Sequence, residues 1–465
     1  MSDKTDGELL KDKLSYAPKN AYETMQEDEI SCAYAFCGEY KNFLDNGKTE
    51  RECVSFLISE AEKKGFKPFG KNTRYQAGDR VYMSNSGKSA FFFIYGKKSV
   101  DYGVKISAAH IDSPRLDLKP RPLFEDNNAA LLKTHYYGGL KKYQWLSIPL
   151  SLHGVVCLED GSIINVTIGE DEGDPIFVLN DLLPHLAKDQ MEKTMRNGIS
   201  GEGMNILVGS RPFKDDKVSE KVKLNILSIL YEKYGITELD LVSAELEIVP
   251  AFKAKDVGLD RSLIGSYGHD DRVCAYPAMR ALLDMEIPEY SCVCVLADKE
   301  EIGSTGLTGM QSHFMSYFLE DIAAAQNVSA RDMFRNSLCL SADVSAAFDP
   351  NYADVYDLKN SIFLNFGIGV MKYTGHAGKG DTSDANAELV AKIRRIFKDV
   401  PWQIGELGKI DQGGGGTVAK YIAQLGVNTI DVGVPVLGMH SPYEVVSKLD
   451  VYNTYKAVLS FYNYK

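Results

Sequence analysis

The stretch Val295-Leu-Ala-Asp-Lys-Glu-Glu-Ile-Gly-Ser-Thr-Gly306 decides how this chain is read. An apolar run, Ser291 to Ala297, has the length and branching of a buried strand. It stops at two adjacent glutamates, Glu300 and Glu301, and a glycine-bearing loop. Adjacent carboxylates repel, so a fold that orders them needs a positive partner. A divalent metal is the usual one: one carboxylate binds it while its neighbour stays free to move a proton.

Four more acidic or histidine sites lie at the ends of apolar segments or at a helix start. In Val104-Lys-Ile-Ser-Ala-Ala-His110-Ile-Asp112, the histidine and aspartate are two apart and share a strand face, so Asp112 can take the second ring N–H of His110. Asp270 and Asp271 open a helix after Gly265-Ser-Tyr-Gly-His269, where plain helix capping would also explain them. Ser337-Leu-Cys-Leu-Ser-Ala-Asp343 ends a strand in one carboxylate, and Val434-Pro-Val-Leu-Gly-Met-His440 ends an apolar run in histidine. Each has an ordinary structural explanation alone. Together they place His110, Glu300/Glu301, Asp343 and His440 where open α/β sheets build their sites, beyond the carboxyl ends of strands. Two histidines and three carboxylates suit two borderline divalent ions, zinc first, with Co²⁺ or Mn²⁺ as alternatives.

The rest of the chain sets bounds. At 465 residues and 44% hydrophobic content it can bury a large core, in two or three domains or one carrying an insertion. A net charge of −12 argues against a nucleic-acid partner. No apolar run approaches the ~18 residues a membrane span needs, so no membrane partner is expected. The N-terminus is polar, without a signal-peptide core, and the eight cysteines form no CxxC pair. Cys292 and Cys294 read as buried thiols on one strand face, and a cytoplasmic location fits all of this.

Residues 21–65 read as helical, followed by strands over 80–83, 89–95 and 104–109. From about 118 the character changes. Lys119-Pro-Arg-Pro122 reads as a stiff exit into a β-rich insertion that ends near 244–251. From about 258, helices (272–284, 313–327, 384–397, 449–464) alternate with strands (291–297, 337–342, 428–434), the pattern of an α/β layered domain. Asp411-Gln-Gly-Gly-Gly-Gly-Thr417 lacks the Gly-Lys-Ser/Thr ending of a nucleotide loop, and no Gly-x-Ser-x-Gly elbow is present.

At His110-Ile-Asp-Ser-Pro114, the aspartate opening the helix after the insertion, Glu300-Glu301-Ile-Gly303, Ser341-Ala-Asp343 and Met439-His440-Ser441, the sequence resembles the aspartyl aminopeptidase and vacuolar aminopeptidase family of dinuclear zinc metallopeptidases. The five motifs occur in family order over residues 100–465, with a looser match before them. The resemblance implies a three-layer α/β catalytic domain from 1–117 and 250–465, with a β-rich dimerisation domain inserted over 118–249. It implies that Asp270 bridges two metal ions, His110 and Asp343 complete one site, and Glu301 and His440 the other. Glu300 would be the general base and Asp112 would orient His110. The substrates would be peptides losing their N-terminal residue, inside a dodecamer built from dimers. Pro184-His185-Leu-Ala187 matches a segment that reaches a neighbouring active site, making His185 a substrate contact in trans. Gly416-Thr417 matches the family's substrate-side Gly-Thr, and Lys372 a lysine near the substrate side chain.

Three departures stand out. Family members commonly carry Asp-Asn where this chain has Asp270-Asp271, which leaves the bridge open between the two. Tyr137-Gly-Gly139 leads into Gln144-Trp-Leu-Ser-Ile-Pro149 where the family has an aspartate-rich segment. Two histidines expected before Pro350-Asn-Tyr352 are replaced by Ala346 and Asp349. A carboxylate at Asp349 would disfavour acidic substrate side chains, whereas Lys372 pulls the other way. A deacylase or carboxypeptidase on the same scaffold, or a non-catalytic oligomeric binding protein, are the competing readings.

Overall fold

A computed structural model of the protein describes residues 4–71 and 73–465. Its largest sheet has nine strands. Four at the centre run parallel in the order Cys292–Ala297, Lys105–His110, Leu338–Ala342, Asn428–Gly433. Ser89–Ile94 lies antiparallel on one side of this group and Ile368–Met371 on the other. The central strands are apolar at nearly every position because both faces are covered. In Cys292–Ala297, Cys292, Cys294 and Leu296 join one hydrophobic cluster, while Val293, Val295 and Ala297 join another. The first cluster includes Tyr40 and Phe43 of helix Glu27–Asn46, Val273 and Met279 of helix His269–Leu283, and Val458 and Phe461 of helix Lys448–Asn463. The second includes Phe318 and Ile322 of helix Phe314–Ala325. Cys292 and Cys294 are buried free thiols on one face, as the spacing predicts.

A second, six-stranded antiparallel sheet is built wholly from residues 115–250, in the order Ile163–Ile168, Leu150–Cys157, Ala244–Pro250, Arg115–Asp126, Ala129–Tyr137, Asn205–Gly209. It has its own core around Trp145, Leu116 and Ile248. One helix of this region, Lys221–Tyr234, went unread in the sequence; Glu125 accepts from its Val222 and Lys223 amides. Lys119-Pro-Arg-Pro122 is not an exit. It lies inside the strand Arg115–Asp126, where pairing breaks between Leu118 and Leu123. Proline cannot donate to a ladder, so the irregular stretch is where a sheet tolerates it.

A third, five-stranded sheet was not anticipated. Its order is Lys255–Val257, Leu263–Ser266, Glu444–Ser447, Pro435–Leu437, Ser345–Ala346. Strands this short carry too little periodicity to read. Helix Glu50–Lys63 opens with a Thr49/Glu52 capping box, and Glu52 also meets His153 of the six-stranded sheet at 2.7 Å. Among the described residues no helix is long and apolar enough to cross a membrane.

Candidate metal centre

The parallel strands deliver their carboxyl ends to one place. His110 ends its strand in register with Ala297, so Glu300 and Glu301 follow just beyond. Asp343 follows Ala342 of the next strand. The other two groups arrive from the small sheet. Asp270 follows strand Leu263–Ser266, and His440 sits in the turn between Pro435–Leu437 and Glu444–Ser447. His440 is therefore not at an end of the main sheet, as its apolar run suggests. It adopts φ +64 in a turn whose shape Glu444 fixes by accepting the His440 amide at 2.7 Å.

Two overlapping triads result: His110, Asp270 and Asp343, and Asp270, Glu301 and His440, each with its donor atoms within 4.8 Å of one another. Asp270 belongs to both. Its Oδ1 is 3.1 Å from His110 Nε2 and its Oδ2 is 3.1 Å from His440 Nε2. Each histidine donates its other nitrogen to a backbone carbonyl, His110 Nδ1 to Asp112 at 3.0 Å and His440 Nδ1 to Gly139 at 2.8 Å. That fixes each ring's orientation and turns both Nε2 atoms inward, as metal-binding histidines require. Among the described residues Asp270 Oδ1 and Glu301 Oε1 are buried without a hydrogen bond, although Oδ1 lies so near His110. Buried acceptors are normally satisfied, so such a set is chemically suited to cations.

Asp271 turns away from this pair. Its Oδ2 accepts the His110 amide at 3.2 Å. Neither aspartate caps the helix; both have non-helical backbone angles, and the regular helix begins at Arg272. Asp112 does more than face His110. Its Oδ1 accepts the Glu300 amide at 3.1 Å, and its Oδ2 accepts the Glu301 amide at 3.2 Å and the Tyr137 hydroxyl at 2.8 Å.

The electrostatics match a site short of positive charge. Burial pushes Glu301 and Asp343 well above the usual carboxylate range and Glu300 up to about 7. Burial opposes the charged form of His440, but Asp270 and Glu301 outweigh it and hold the ring up to about 11. His269, left unassigned by the sequence, is fully buried away from the triads. It bonds Tyr40 Oη and Ile264 O, and burial pushes it down to about 3.

A cavity of about 560 Å³ opens onto the cluster. Gly416 and Thr417 line it, and Thr417 Oγ1 donates to buried Asp431 at 2.6 Å. Met371, Leu407, Met439 and Tyr421 supply apolar wall, and Lys420 pairs with Asp381 across it at 3.1 Å. Two expected substrate contacts, Lys372 and Asp349, are absent from this wall. Lys372 is exposed beside it. Asp349 caps its own 3-10 turn, accepting the Asn351 amide at 2.9 Å. His185 is exposed on the six-stranded sheet's side of the chain. Glu444 and Lys420 escaped the sequence reading, and Tyr137 and Gly139 were noted there without a role, because their roles depend on contacts between distant segments.

An α/β scaffold gathering such donors at its strand ends is the arrangement of a metallohydrolase. The chain matches the family model described as Aminopeptidase I zinc metalloprotease (M18) over residues 43–462, and it belongs to that family. It is a metal-dependent aminopeptidase, a hydrolase. A probable M18 family aminopeptidase 1 from Clostridium acetobutylicum is 49% identical over 455 residues, covering 96% of this chain and 98% of that protein. The crystal structure of an M18 aminopeptidase from Thermotoga maritima superposes with a TM-score of 0.93 at 44% identity, covering 97% of this chain and 100% of that one. A dodecamer of the yeast enzyme shares the fold, with a TM-score of 0.73 at 23% identity, covering 91% and 95%. The family match reaches well before residue 100, where the legible motifs begin.

Proposed function

We propose that the chain removes single N-terminal residues from peptides at a two-ion site. The sharing of Asp270 between two triads carries the reading. His110 and Asp343 would hold one ion, Glu301 and His440 the other, with Asp270 between them. Zinc fits the nitrogen and oxygen donors and the family's description, with cobalt or manganese able to substitute. Such ions, when bound, polarise a peptide carbonyl and acidify a water. The chain's own residues do the rest. Glu300 belongs to neither triad, so its carboxylate is free to take a proton from the attacking water and return it to the leaving amine. A value near 7 suits a group that must do both. Asp112 orients His110 and the turn carrying Glu300 and Glu301 through three hydrogen bonds.

The cavity wall bears on the substrate side chain. Lys420 and Asp381 neutralise each other, and the remaining wall is largely apolar. Neutral N-terminal residues therefore fit better than acidic ones, so strict aspartyl or glutamyl specificity is lost. The reason is this wall, and not a charge at Asp349.

In the architecture we propose, residues 1–117 and 250–465 form a three-layer catalytic domain, and 118–249 an inserted dimerisation domain. Exposed Ile163, Leu186, Met191, Met195, Tyr231 and Leu239 on the latter support a homo-oligomeric surface. A dodecamer built from dimers would let His185 reach a neighbouring site, and the yeast protein is a dodecamer. A cytoplasmic location suits eight free cysteines.

The test is hydrolysis of Asp, Glu, Leu, Met and Lys p-nitroanilides by zinc-loaded protein, with a chelated control. Leu or Met leading, with activity lost on chelation, is expected. A profile dominated by Asp and Glu refutes the specificity. Cleavage of N-acylated but not free-amine substrates would make the chain a deacylase, and two-ion loading without any cleavage would favour a binding protein.

A further inference from the structure

The six-stranded sheet ends against the metal centre. Its strand Ala129–Tyr137 runs into Gly138 and Gly139, and these three consecutive residues meet three parts of the site. Tyr137 Oη donates to Asp112 Oδ2 at 2.8 Å. Gly138 has φ +75, and a Cβ added there would stand 3.3 Å from both Cβ and Oε2 of Glu301. Gly139 O accepts the His440 Nδ1 proton at 2.8 Å.

Tyr137 is itself held in place. It pairs across the sheet with Arg115, whose guanidinium lies 4.0 Å from the ring centroid. Arg115 is buried, 3.0 Å from Glu50 and 3.2 Å from Glu247. A ring fixed on a guanidinium has one direction for its hydroxyl, and that direction is Asp112. The phenol is a neutral donor, so it orients Asp112 without cancelling the charge that Asp112 presents to His110. Without it, Asp112 Oδ2 retains only the Glu301 amide at 3.2 Å among the described residues.

The geometry points to Tyr137 as a positioning residue of the metal centre, and to Tyr137-Gly138-Gly139 as the strap by which the inserted sheet aligns Asp112, Glu301 and His440. The inference rests on the two-ion reading above. Glu301 and His440 belong to the same triad, whereas His110 is reached only through Asp112. The strap therefore acts more strongly on the ion between Glu301 and His440. Supports of this kind are worth roughly 10–100-fold in metal affinity or activity.

The experiment uses full-length Tyr137→Phe and Gly138→Ala proteins, with Tyr136→Phe, an exposed ring on the same strand, as control. Chelator-stripped proteins are titrated calorimetrically with Zn²⁺ and Co²⁺, and the cobalt d–d spectrum and apo melting temperature are recorded. Both strap variants are expected to bind one of the two ions roughly 10–100-fold less tightly, with an altered cobalt spectrum, and Tyr137→Phe should keep a near-wild-type apo melt. The control should match wild type. Wild-type affinities and spectrum in Tyr137→Phe overturn the inference. If that variant fails to fold, Gly138→Ala decides, since it keeps the phenol and perturbs the strap at its φ +75 turn and in the space beside Glu301 and Pro114. A wild-type protein that binds one ion removes the parent reading. The strap then stands or falls on that ion's affinity in the variants.

Discussion

Glu300→Gln should separate proton transfer from metal binding. The side chain lies outside both triads, and its backbone amide, not its carboxyl, anchors the turn to Asp112 Oδ1. Glutamine keeps the shape and that anchor while removing the basic oxygen. A positioned general base contributes ~10²–10⁴-fold, so kcat should fall by about 2.7–5.4 kcal/mol of barrier at 1.36 kcal/mol per decade. KM and ion content should change little. The pH dependence follows from the same residue. Burial pushes Glu300 up to about 7, and a base acts only when ionised. Wild-type kcat/KM should therefore fall on the acid side as Glu300 takes up its proton and level off above, and the variant should lose that acid limb. Stopped-time hydrolysis of Leu-p-nitroanilide from pH 5.5 to 9, with metal content measured on the same samples, checks both. A variant that keeps the wild-type rate with both ions bound refutes the assignment. A variant that loses an ion would make Glu300 a ligand.

Chelation should lower the melting temperature by several degrees and abolish hydrolysis, with both restored by zinc; an ion held at a thousandfold excess over its Kd adds about 4 kcal/mol. Gly433→Ala should disrupt the centre from behind, because its Cβ would fall 1.5 Å from the Asp343 carbonyl oxygen, and circular dichroism with metal titration would register the displaced strand end. His153 should make stability pH-dependent far from the active site. Burial disfavours its charge, but Glu170 and Glu52 more than offset this and hold its pKa above 6.5. A histidine raised in the folded state stabilises fully below its unfolded pKa and loses that contribution as pH rises through the folded value. His153→Gln should thus cost roughly 1.5–3 kcal/mol at pH 6 and progressively less toward pH 9 in urea melts; an equal cost at both pH values would contradict the ion-pair account.

The donors at the ends of the main sheet were legible because each follows an apolar run long enough to be read as a buried strand. Val104 to Ala109 leads to His110, Ser291 to Ala297 to Glu300 and Glu301, and Ser337 to Ala342 to Asp343. Burial on both faces writes itself as continuous hydrophobicity, and a charged residue at its edge stands out. His440 was found at the end of its apolar run, but the sheet that carries that run was not read. Three-residue Pro435–Leu437 merges in sequence with the end of Asn428–Gly433, although the two belong to different sheets. The division between Asp270 and Asp271 could not be read at all. Both are carboxylates at one helix start, and only the approach of His110 Nε2 and His440 Nε2 from separate sheets distinguishes them. The same holds for the strap. Nothing local to Tyr137-Gly-Gly139 shows that it lies against Asp112, Glu301 and His440, since those contacts span 25 to 301 residues of chain. Chemistry carried by single strand ends is thus written in the sequence, whereas chemistry made where three sheets meet is written only in their packing.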